Sequence, residues 1–262
     1  MSAAHLLIAR EAAGAAADLL RIDYLADAGV TDDAGKDLKT NADLAAQALV
    51  LSHLAATKIP VLAEEQATSV RHQPPMPGVQ MAAFATDVDL NGPLWLVDPL
   101  DGTLNFTRGF AMAAVSIALW DKGKPVLGVV HDIHHGLSYS GLSGEGAWCD
   151  DRPIQVSAVD TPAKAILATG FPSGRSYDTE SLLGFVRSVQ SYKKVRMLGS
   201  AALMLAHVAA GHFDVYEEED IYLWDVAAGL ALVHAAGGRF TIEPGSGPYK
   251  LRVLASNGIV IV

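Results

Sequence analysis

The sequence predicts an α+β protein, in which helices and β-strands both contribute to the core. Two observations support this prediction. Ala- and Leu-rich helical segments precede β-rich runs in the first half of the chain, and strands alternate with helices in the second half. Half of the 262 residues are hydrophobic, which is enough for a large core. We therefore expect a single domain, residues 1–262, made of two packed halves at about 1–155 and about 156–262.

Composition and charge exclude several classes of function. The formal net charge is −10, and no basic cluster denser than Lys193–Arg196 offsets it, so nucleic-acid binding is not expected. The single cysteine, Cys149, cannot form an internal disulfide, which fits a reducing cytoplasm. Arg10 and Glu11 interrupt the N-terminal apolar segment, so it is no signal peptide, and no apolar run reaches membrane-spanning length. We expect a cytoplasmic protein without nucleic-acid or membrane partners.

The N-terminal quarter predicts two helices. Residues 3–28 are rich in Ala and Leu, and residues 30–39 are polar, which predicts a mobile connection. A second Ala/Leu-rich helix then runs to about residue 56, with Thr40 or Asn41 as its N-cap. Asp43 falls in the first turn of this helix, where a negative charge also suits the helix dipole.

An acidic pair follows the next predicted strand. Residues 59–63 are β-rich and end at Glu64-Glu65, a pair that would ordinarily be solvated surface. Residues 67–93 are largely unpatterned and predict a surface insertion or an extended hairpin. Within them, residues 87–92 resemble the start of a calcium-binding EF-hand loop. The twelfth position lacks the expected Glu and the flanks are not helical, so we predict a turn.

The stretch Trp95–Phe106 has the strongest chemical character in the chain. An apolar run at 94–97 predicts a buried strand that must turn, because Pro99 removes a donor and disfavours helical geometry before it. The turn presents carboxylate, carbonyl and hydroxyl oxygens, which suit Mg²⁺ or Mn²⁺ rather than zinc, and amides that suit phosphate. An ordinary strand end with an Asx-type turn is the alternative. The oxygen ligands are Asp98, the Leu100 carbonyl, Asp101 and Thr103, and the amides are those of Gly102 and Thr103.

The centre of the chain predicts antiparallel strands. Residues 112–120 and 125–130 are β-rich, and a hairpin turn at 121–124 joins them. His131–His135 contains three histidines beside an aspartate and is compatible with a transition-metal site, but we favour a turn. Residues 144–154 predict a further hairpin.

Strands and helices alternate in the second half. We expect a strand at 165–169, an amphipathic helix at 180–192 and a strand at 195–198. Gly199-Ser200-Ala201 then opens an apolar helix that ends at Gly211. A strand-to-helix junction of this kind can bind phosphate through free amides, although plain N-capping by Ser200 is the alternative.

The last quarter predicts a strand, an acidic loop and a helix. A strand at 213–216 is followed by Glu217–Asp220, and four successive carboxylates would ordinarily form a solvated loop. Trp224–Gly229 opens the next helix, which runs to Gly237-Gly238. Asp225 at the start of this helix can be a simple capping residue.

Trp95–Phe106 resembles the first signature of the inositol monophosphatase family, part of the fructose-1,6-bisphosphatase-like superfamily of metal-dependent, lithium-sensitive phosphatases. Trp224–Gly229 resembles its second signature, W-D-x-A-A-G with a distal G-G. Residues 37–43 resemble its D-L-V-T-x-A-D segment, with Lys39 in place of Val, and Glu64–Gln66 resembles its G-E-E-S. The resemblance covers about residues 5–260 and implies a layered αβαβα sandwich. It also implies a homodimer.

The resemblance further implies a site with two or three Mg²⁺ ions, for which Mn²⁺ can substitute. Glu64, Asp98 and the Leu100 carbonyl would hold one cation, and Asp98, Asp101 and Asp225 another. A water activated by metal, and oriented by Glu64, Thr103 and Asp43, would attack phosphorus in line. The residues implied to contact substrate are Gly102, Thr103, Gly199, Ser200, Ala201, Glu218 and Asp225. The family also has a loop lysine upstream, but Lys36 is too close to the motif to match it.

The implied activity is hydrolysis of a small phosphorylated polyol or sugar, with inositol-1-phosphate as the leading substrate. Related activities stay open, on fructose-1,6-bisphosphate, 3'-phosphoadenosine-5'-phosphate or histidinol phosphate. A non-catalytic, metal-binding regulatory protein is the alternative from another class. Specificity is expected in the loops at 171–176 and 217–222.

Overall fold

The computed structural model describes residues 3–34, 37–68, 90–171 and 178–260. In these ranges the chain forms seven α-helices and fourteen β-strands. The elements of the first half are α1 (Ala3–Leu19), β1 (Val30–Ala34), β2 (Asp37–Thr40), α2 (Asn41–Leu54), β3 (Val61–Ala63), α3 (Glu64–Thr68), β4 (Leu94–Asp101), α4 (Thr103–Thr107), β5 (Ala114–Asp121), β6 (Lys124–Asp132), β7 (Ser138–Leu142), β8 (Gly146–Cys149) and β9 (Arg152–Ile154). Those of the second half are β10 (Ile166–Thr169), α5 (Thr179–Gln190), β11 (Lys194–Arg196), α6 (Ala201–Ala209), β12 (Val215–Tyr222), α7 (Leu223–Ala235), β13 (Arg239–Pro244) and β14 (Lys250–Ser256).

Two large sheets organise the molecule. The first has seven strands in the order β3-β4-β5-β6-β7-β8-β9, antiparallel throughout except for the parallel pair β3 and β4. The second is mixed, with five strands in the order β11-β10-β12-β14-β13. Strands β1 and β2 form a separate antiparallel hairpin. The first sheet comes from the first half of the chain, and the second sheet from the second half.

The helices fill the space around and between the sheets. One apolar cluster joins α1 and α2 to one face of the first sheet. A larger cluster places α6 and α7 between the other face of that sheet and the second sheet. A third, smaller cluster contains Val189 of α5 with Leu167 and Val215, on the outer face of the second sheet. The predicted αβαβα layering is therefore confirmed.

Helix α7 lies directly on the first sheet. A Cβ at Gly128 of β6 would overlap the backbone of Ala228, so the helix reaches this distance only because residue 128 has no side chain. Trp224 and Val226 at the start of the helix are fully buried. The position of the N-terminus of α7 is therefore set by a backbone-to-backbone contact.

Several sequence predictions were wrong at the level of elements. Residues 30–39 were expected to be a mobile connection, but their described part forms the β1–β2 hairpin, and Thr31 Oγ1 donates to the Lys39 carbonyl. The first α-helix ends at Leu19 and continues as a π-helical turn, Leu20–Tyr24. The acidic run Glu217–Asp220 lies in strand β12 rather than in a loop.

The other predicted turns are found where the structure describes them. The hairpin at 121–124 joins β5 and β6. Asp132 accepts hydrogen bonds from the backbone amides of His134 and His135, so the histidine cluster forms a turn. Lys36 and most of residues 67–93, including Asp87 of the EF-hand-like stretch, lie outside the described residues. Within the part of the chain that is described, no helix combines the length and apolar character needed to cross a membrane.

Candidate active site

Three carboxylates from distant parts of the chain converge at one edge of the first sheet. Oxygen atoms of Glu64, Asp98 and Asp225 lie within 4.8 Å of one another, the one such group of potential metal ligands among the described residues. The parallel pairing of β3 and β4 sets Ala63 opposite Val97, so Glu64 and Asp98 leave the sheet side by side. Helix α7 packs across β4, β5 and β6 and brings Asp225 to them from its first turn.

A bulge in β4 changes the direction of the chain just after Asp98. Asp98 pairs with Ser116 and Asp101 with Ala114, so β4 has one residue more than its partner β5 in this interval. Residues three apart in a regular strand point to opposite faces, and an extra residue corrects that parity. The bulge thus allows Asp98 and Asp101 to serve one site. Pro99 lies inside it, where a missing backbone donor is tolerated.

The converging carboxylates strongly affect one another. Burial raises the pKa of Asp98 well above its ordinary value, and the charges of Glu64, Asp101 and Asp225 raise it further. Burial likewise raises the pKa of Asp225, with contributions from Glu64 and Asp101. Two unit charges about 4 Å apart repel by roughly 4 kcal/mol at an effective dielectric constant near 20. Such a cluster requires protons or cations, and its all-oxygen donor set fits a hard divalent metal.

Asp101 is buried beside this group and is held by the start of α6. It accepts hydrogen bonds from Ser200 Oγ, from the Ala201 amide at 3.3 Å and from the Ala202 amide at 2.8 Å. Burial raises the pKa of Asp101 to about 6, although these three donors favour the charged form. The substrate contacts expected of residues 199–201 stay a prediction, and in the structure two of these residues, Ser200 and Ala201, donate hydrogen bonds to Asp101.

A second network places Asp43 and Thr103 together. The cap of α2 is a reciprocal pair, since Thr40 Oγ1 accepts from the Asp43 amide while Asp43 Oδ2 accepts from the Thr40 amide at 2.8 Å. The Thr103 hydroxyl lies 3.2 Å from Asp43 Oδ1 and 2.9 Å from the Leu100 carbonyl oxygen. Burial raises the pKa of Asp43 to about 6, and the charge of Glu65 also raises it. The Asp43 carboxylate is therefore hydrogen-bonded both to the N-cap of α2 and to the loop after β4.

The side chain of Glu218 lies on the inner, buried face of the second sheet, unlike those of its acidic neighbours. It is 9% exposed and accepts a hydrogen bond of 2.7 Å from the Tyr216 hydroxyl. Burial raises the pKa of Glu218 to about 7, and the charge of Asp101 adds to this. Glu217, on the opposite face, is 3.3 Å from Arg252. Strand alternation thus separates one interior carboxylate from the acidic run.

Sequence reasoning missed three residues that organise the site. Asn105 Nδ2 donates to the Leu198 carbonyl at 2.7 Å and to the Met112 carbonyl at 2.9 Å, which ties α4 to the turn before α6. Lys39 Nζ lies 3.0 Å from Glu65 Oε2 next to the carboxylate group. The Tyr216 hydroxyl donates a hydrogen bond to the Glu218 carboxylate and fixes its position. Asn105 lies within the signature stretch and could have been found, whereas Lys39 and Tyr216 have no local signal.

Comparison with known proteins agrees with this geometry. The inositol monophosphatase family matches residues 3–261. The chain is 34% identical over 257 residues to inositol monophosphatase 3 of Solanum lycopersicum, covering 95% of this chain and 91% of that protein. It is similar to the solved inositol monophosphatase of Anabaena (Nostoc) sp. PCC 7120, with a TM-score of 0.77, 34% identity, and 98% and 91% of the two chains covered. The extragenic suppressor protein suhB of Bartonella henselae gives a TM-score of 0.80 at 31% identity, with 98% and 95% covered.

The layered fold and the converging carboxylate group, taken with these likenesses, define a phosphoric monoester hydrolase of a metal-dependent class. The acidic cluster is the part of the chain suited to hold the metal. The chain belongs to the inositol monophosphatase family.

Proposed function

We propose that this protein is an Mg²⁺-dependent phosphatase that hydrolyses a small polyol phosphate, with inositol-1-phosphate as the substrate. The observation that carries the proposal is the convergence of Glu64, Asp98 and Asp225 within 4.8 Å, with no thiolate or imidazole ligand in the group. Oxygen donors of this kind suit magnesium, with manganese as a substitute. The substrate assignment also draws on the names of the relatives, which are inositol monophosphatases.

The proposed ligand sets are those that the resemblance to the family implies. Glu64, Asp98 and the Leu100 carbonyl would hold one cation, and Asp98, Asp101 and Asp225 a second, and the family's pattern also allows a third. When bound, Mg²⁺ would supply positive charge to the phosphoryl group and to the leaving oxygen and lower the pKa of a water. Binding of the cations would also relieve the repulsion that raises the pKa values of Asp98 and Asp225.

Asp43 and Thr103 would orient the attacking water. When the Thr103 hydroxyl donates to Asp43 Oδ1, its lone pairs are left to accept a hydrogen bond from that water. With a pKa of about 6, Asp43 is mostly ionised at neutral pH and can keep Thr103 in this orientation. Glu64, which matches the family's water activator, would take up the proton of the water. No covalent intermediate on the protein is required.

The substrate contacts divide between the two halves of the molecule. The amides of Gly102 and Thr103 would hold phosphate oxygens, while residues 199–201 would act mainly by fixing Asp101, with a secondary contact to phosphate. Asp225 would contact the hydroxyl next to the phosphate ester. Glu218 would accept hydrogen bonds from ring hydroxyls, because its buried carboxylate uses one oxygen for Tyr216 and has the other free of that bond.

The test is phosphate release from chelator-treated protein with and without added Mg²⁺. The substrate panel is inositol-1-phosphate, fructose-1,6-bisphosphate, 3'-phosphoadenosine-5'-phosphate and histidinol phosphate. We expect turnover only with Mg²⁺ or Mn²⁺, the highest kcat/KM on inositol-1-phosphate and inhibition by Li⁺. Undiminished turnover after thorough chelation would refute the metal assignment, and a preference for another ester would refute the substrate assignment.

Glu218→Ala tests the substrate side of the site, with Glu219→Ala as the matched control because the side chain of Glu219 is 44% exposed. Glu218→Ala should reduce kcat/KM for inositol-1-phosphate more than for phenyl phosphate, which has no ring hydroxyls. Equal losses on both esters, with weaker Mg²⁺ activation, would make Glu218 metal-linked.

We also propose that the protein is a cytoplasmic homodimer, by likeness to its family. Light scattering coupled to size-exclusion chromatography measures the mass in solution. A mass of one 27.5 kDa chain would refute the dimer.

A further inference from the structure

Gly170 follows the last residue of β10 and lies beside Glu218 of the neighbouring strand β12. Strand β10 runs parallel to β12, with Thr169 opposite Glu217, so Gly170 comes next to Glu218. A Cβ added at Gly170 would overlap all three atoms of the Glu218 carboxylate group. The φ of Gly170 lies outside the left-handed region, so the backbone itself would accept any residue there. The glycine is required by the carboxylate rather than by the fold of the chain.

The carboxylate of Glu218 is confined from a second side. The Tyr216 hydroxyl donates to Glu218 Oε2 at 2.7 Å, and Tyr216 is itself fully buried. The side chain therefore lies between a fixed phenol and the Cα of Gly170. Because the interior is close-packed, a methyl group at residue 170 must displace the carboxylate.

We propose that Gly170 is a specificity-determining positioning residue, which sets the place of the Glu218 carboxylate and thereby the selectivity for substrates that present ring hydroxyls. This inference rests on the proposed role of Glu218. Tyr216 acts with Gly170 as the second positioning group. Neither residue is among the proposed phosphate contacts, so we expect their effect on selectivity to pass through Glu218.

The first experiment compares Gly170→Ala with Gly14→Ala in the Mg²⁺-loaded protein. Gly14 lies in α1, away from the pocket that Gly170 and Glu218 line, and an added Cβ there comes no closer than 3.8 Å to His131, so it is a matched control for the added methyl group. The measured quantity is the ratio of kcat/KM for inositol-1-phosphate to kcat/KM for phenyl phosphate. Gly170→Ala should lower this ratio about 10- to 100-fold, the range expected for hydrogen bonds to a charged group, mainly through KM. Gly14→Ala should leave the ratio at the parental value.

The second experiment places Gly170→Ala in two further backgrounds. In Glu218→Ala the carboxylate is absent, so the added methyl group should cause no further change in the ratio. In Glu218→Asp the shorter side chain withdraws from residue 170, so Gly170→Ala should be tolerated. Melting temperatures give a readout independent of activity. Gly170→Ala should lower the melting temperature with Glu218 present and should not do so in either double variant, even if the single variant fails to fold.

The outcomes separate this inference from the proposed function. If Glu218→Ala leaves the ratio unchanged, the proposed role of Glu218 fails and this inference fails with it. If Glu218→Ala lowers the ratio but Gly170→Ala does not, only the inference fails. Equal destabilisation by Gly170→Ala in all three backgrounds would also overturn it, because the clash would then involve something other than the carboxylate.

Discussion

Asp101 has two sets of partners that compete for one carboxylate. Its oxygens accept three hydrogen bonds from the start of α6, yet its charge also contributes to the raised pKa values of Asp98 and Asp225. The hydrogen bonds from α6 stabilise the ionised form of Asp101 in the absence of metal, whereas repulsion with Asp98 and Asp225 destabilises it. A bound cation would neutralise this repulsion and leave the hydrogen bonds in place. Asp101 is therefore suited to be a ligand whose direction is fixed before metal binds.

Asp101→Asn should lower kcat by roughly 10²–10³, as expected for the loss of one preorganised stabilising group. The melting temperature without metal should change little, because relief of repulsion offsets the loss of the hydrogen bond from the Ala201 amide, which the Asn NH2 group cannot accept. The gain in melting temperature on adding Mg²⁺ should be smaller than in the parent. Asp151→Asn is the control, since that side chain is 98% exposed. Near-parental turnover, or a far lower metal-free melting temperature, would make Asp101 a structural turn residue.

Glu218 should give the metal-free protein a pH-dependent stability. Its pKa in the folded state is raised from 4.5 to about 7, so the folded protein keeps a proton that the unfolded chain releases. The free energy of unfolding therefore falls as pH rises from about 4.5 through about 7. The shift in pKa corresponds to a decrease in the free energy of unfolding on the order of 3 kcal/mol across this pH range.

Glu218→Gln removes this titration and keeps an oxygen for the Tyr216 hydroxyl. Relative to the parent, the variant should gain stability as pH rises from 5 to 8, measured by denaturant unfolding in the presence of chelator. His131, His134 and His207 have lowered pKa values and act in the opposite sense, but they are common to both proteins and cancel. Parallel pH profiles for parent and variant would contradict the prediction. Glu219→Gln is the control, with a profile like that of the parent.

At the scale of elements, the loop between β4 and α4 depends on a glycine at a crowded point. Gly102 has a φ of +84°, in the left-handed region, and a Cβ there would lie 2.7 Å from the Met112 carbonyl oxygen. The neighbouring Asn105 bonds the same carbonyl. The bulge, the turn and α4 therefore form one unit against the start of β5.

Gly102→Ala should cost more stability than Gly109→Ala, although both replace a glycine with positive φ. Gly109 has a φ of +65° and nothing within 4 Å of an added Cβ, so it reports conformational strain alone, about 1 kcal/mol. Gly102→Ala adds a steric clash with backbone atoms, typically a further 1–3 kcal/mol. It should also lower phosphatase activity. Denaturant unfolding measures the loss of stability, and turnover measures the loss of activity. Equal losses of stability in Gly102→Ala and Gly109→Ala would show that the loop relaxes to relieve the clash.

Local pattern predicted most helices and the first sheet, and the fold class is confirmed. The local pattern predicted a strand that ends at residue 216, whereas β12 continues to Tyr222. The four charged residues Glu217–Asp220 are typical of a solvated loop, so the pattern ended the strand before them. Pairing with β14 overrides that preference, since alternate side chains then lie with Arg252 outside or with Tyr216 inside. Strands β13 and β14 were not assigned.

For the candidate site, the signature stretches placed Glu64, Asp98 and Asp225, which the structure brings together. They could not reveal that Asp101 is held by α6, because that contact joins residues from the two halves of the chain. The position of Gly170 against Glu218 is equally non-local. What sequence reasoning lacks here is the distance between elements, not the chemistry of the residues.

At the scale of the whole molecule, the site joins the two halves of the chain. Glu64 and Asp98 come from the first sheet, whereas Asp225 is carried by α7, which packs between the two sheets. The contact between Gly128 and Ala228 fixes how closely α7 approaches the first sheet. The second proposed cation, held by Asp98, Asp101 and Asp225, would therefore report on correct packing of the layers.

Adding Mg²⁺ should lower the rate of unfolding and leave the rate of refolding almost unchanged. Asp225 is far in sequence from Asp98 and Asp101, so the second proposed cation site is complete only when both halves have docked, late in folding. Stopped-flow unfolding and refolding in denaturant, with Mg²⁺ or with chelator, measure both rates. A large acceleration of refolding would contradict the expectation.

The same separation along the chain has a consequence for the protein during its synthesis. A nascent chain that has emerged only through the first sheet has Glu64 and Asp98 but not Asp225, so the second proposed cation site, which needs Asp225, is incomplete. The second cation then binds finished molecules rather than guiding unfinished ones. In a cell short of magnesium, we expect this protein to reach its native topology at the usual pace and to be lost afterwards, through faster opening and proteolysis.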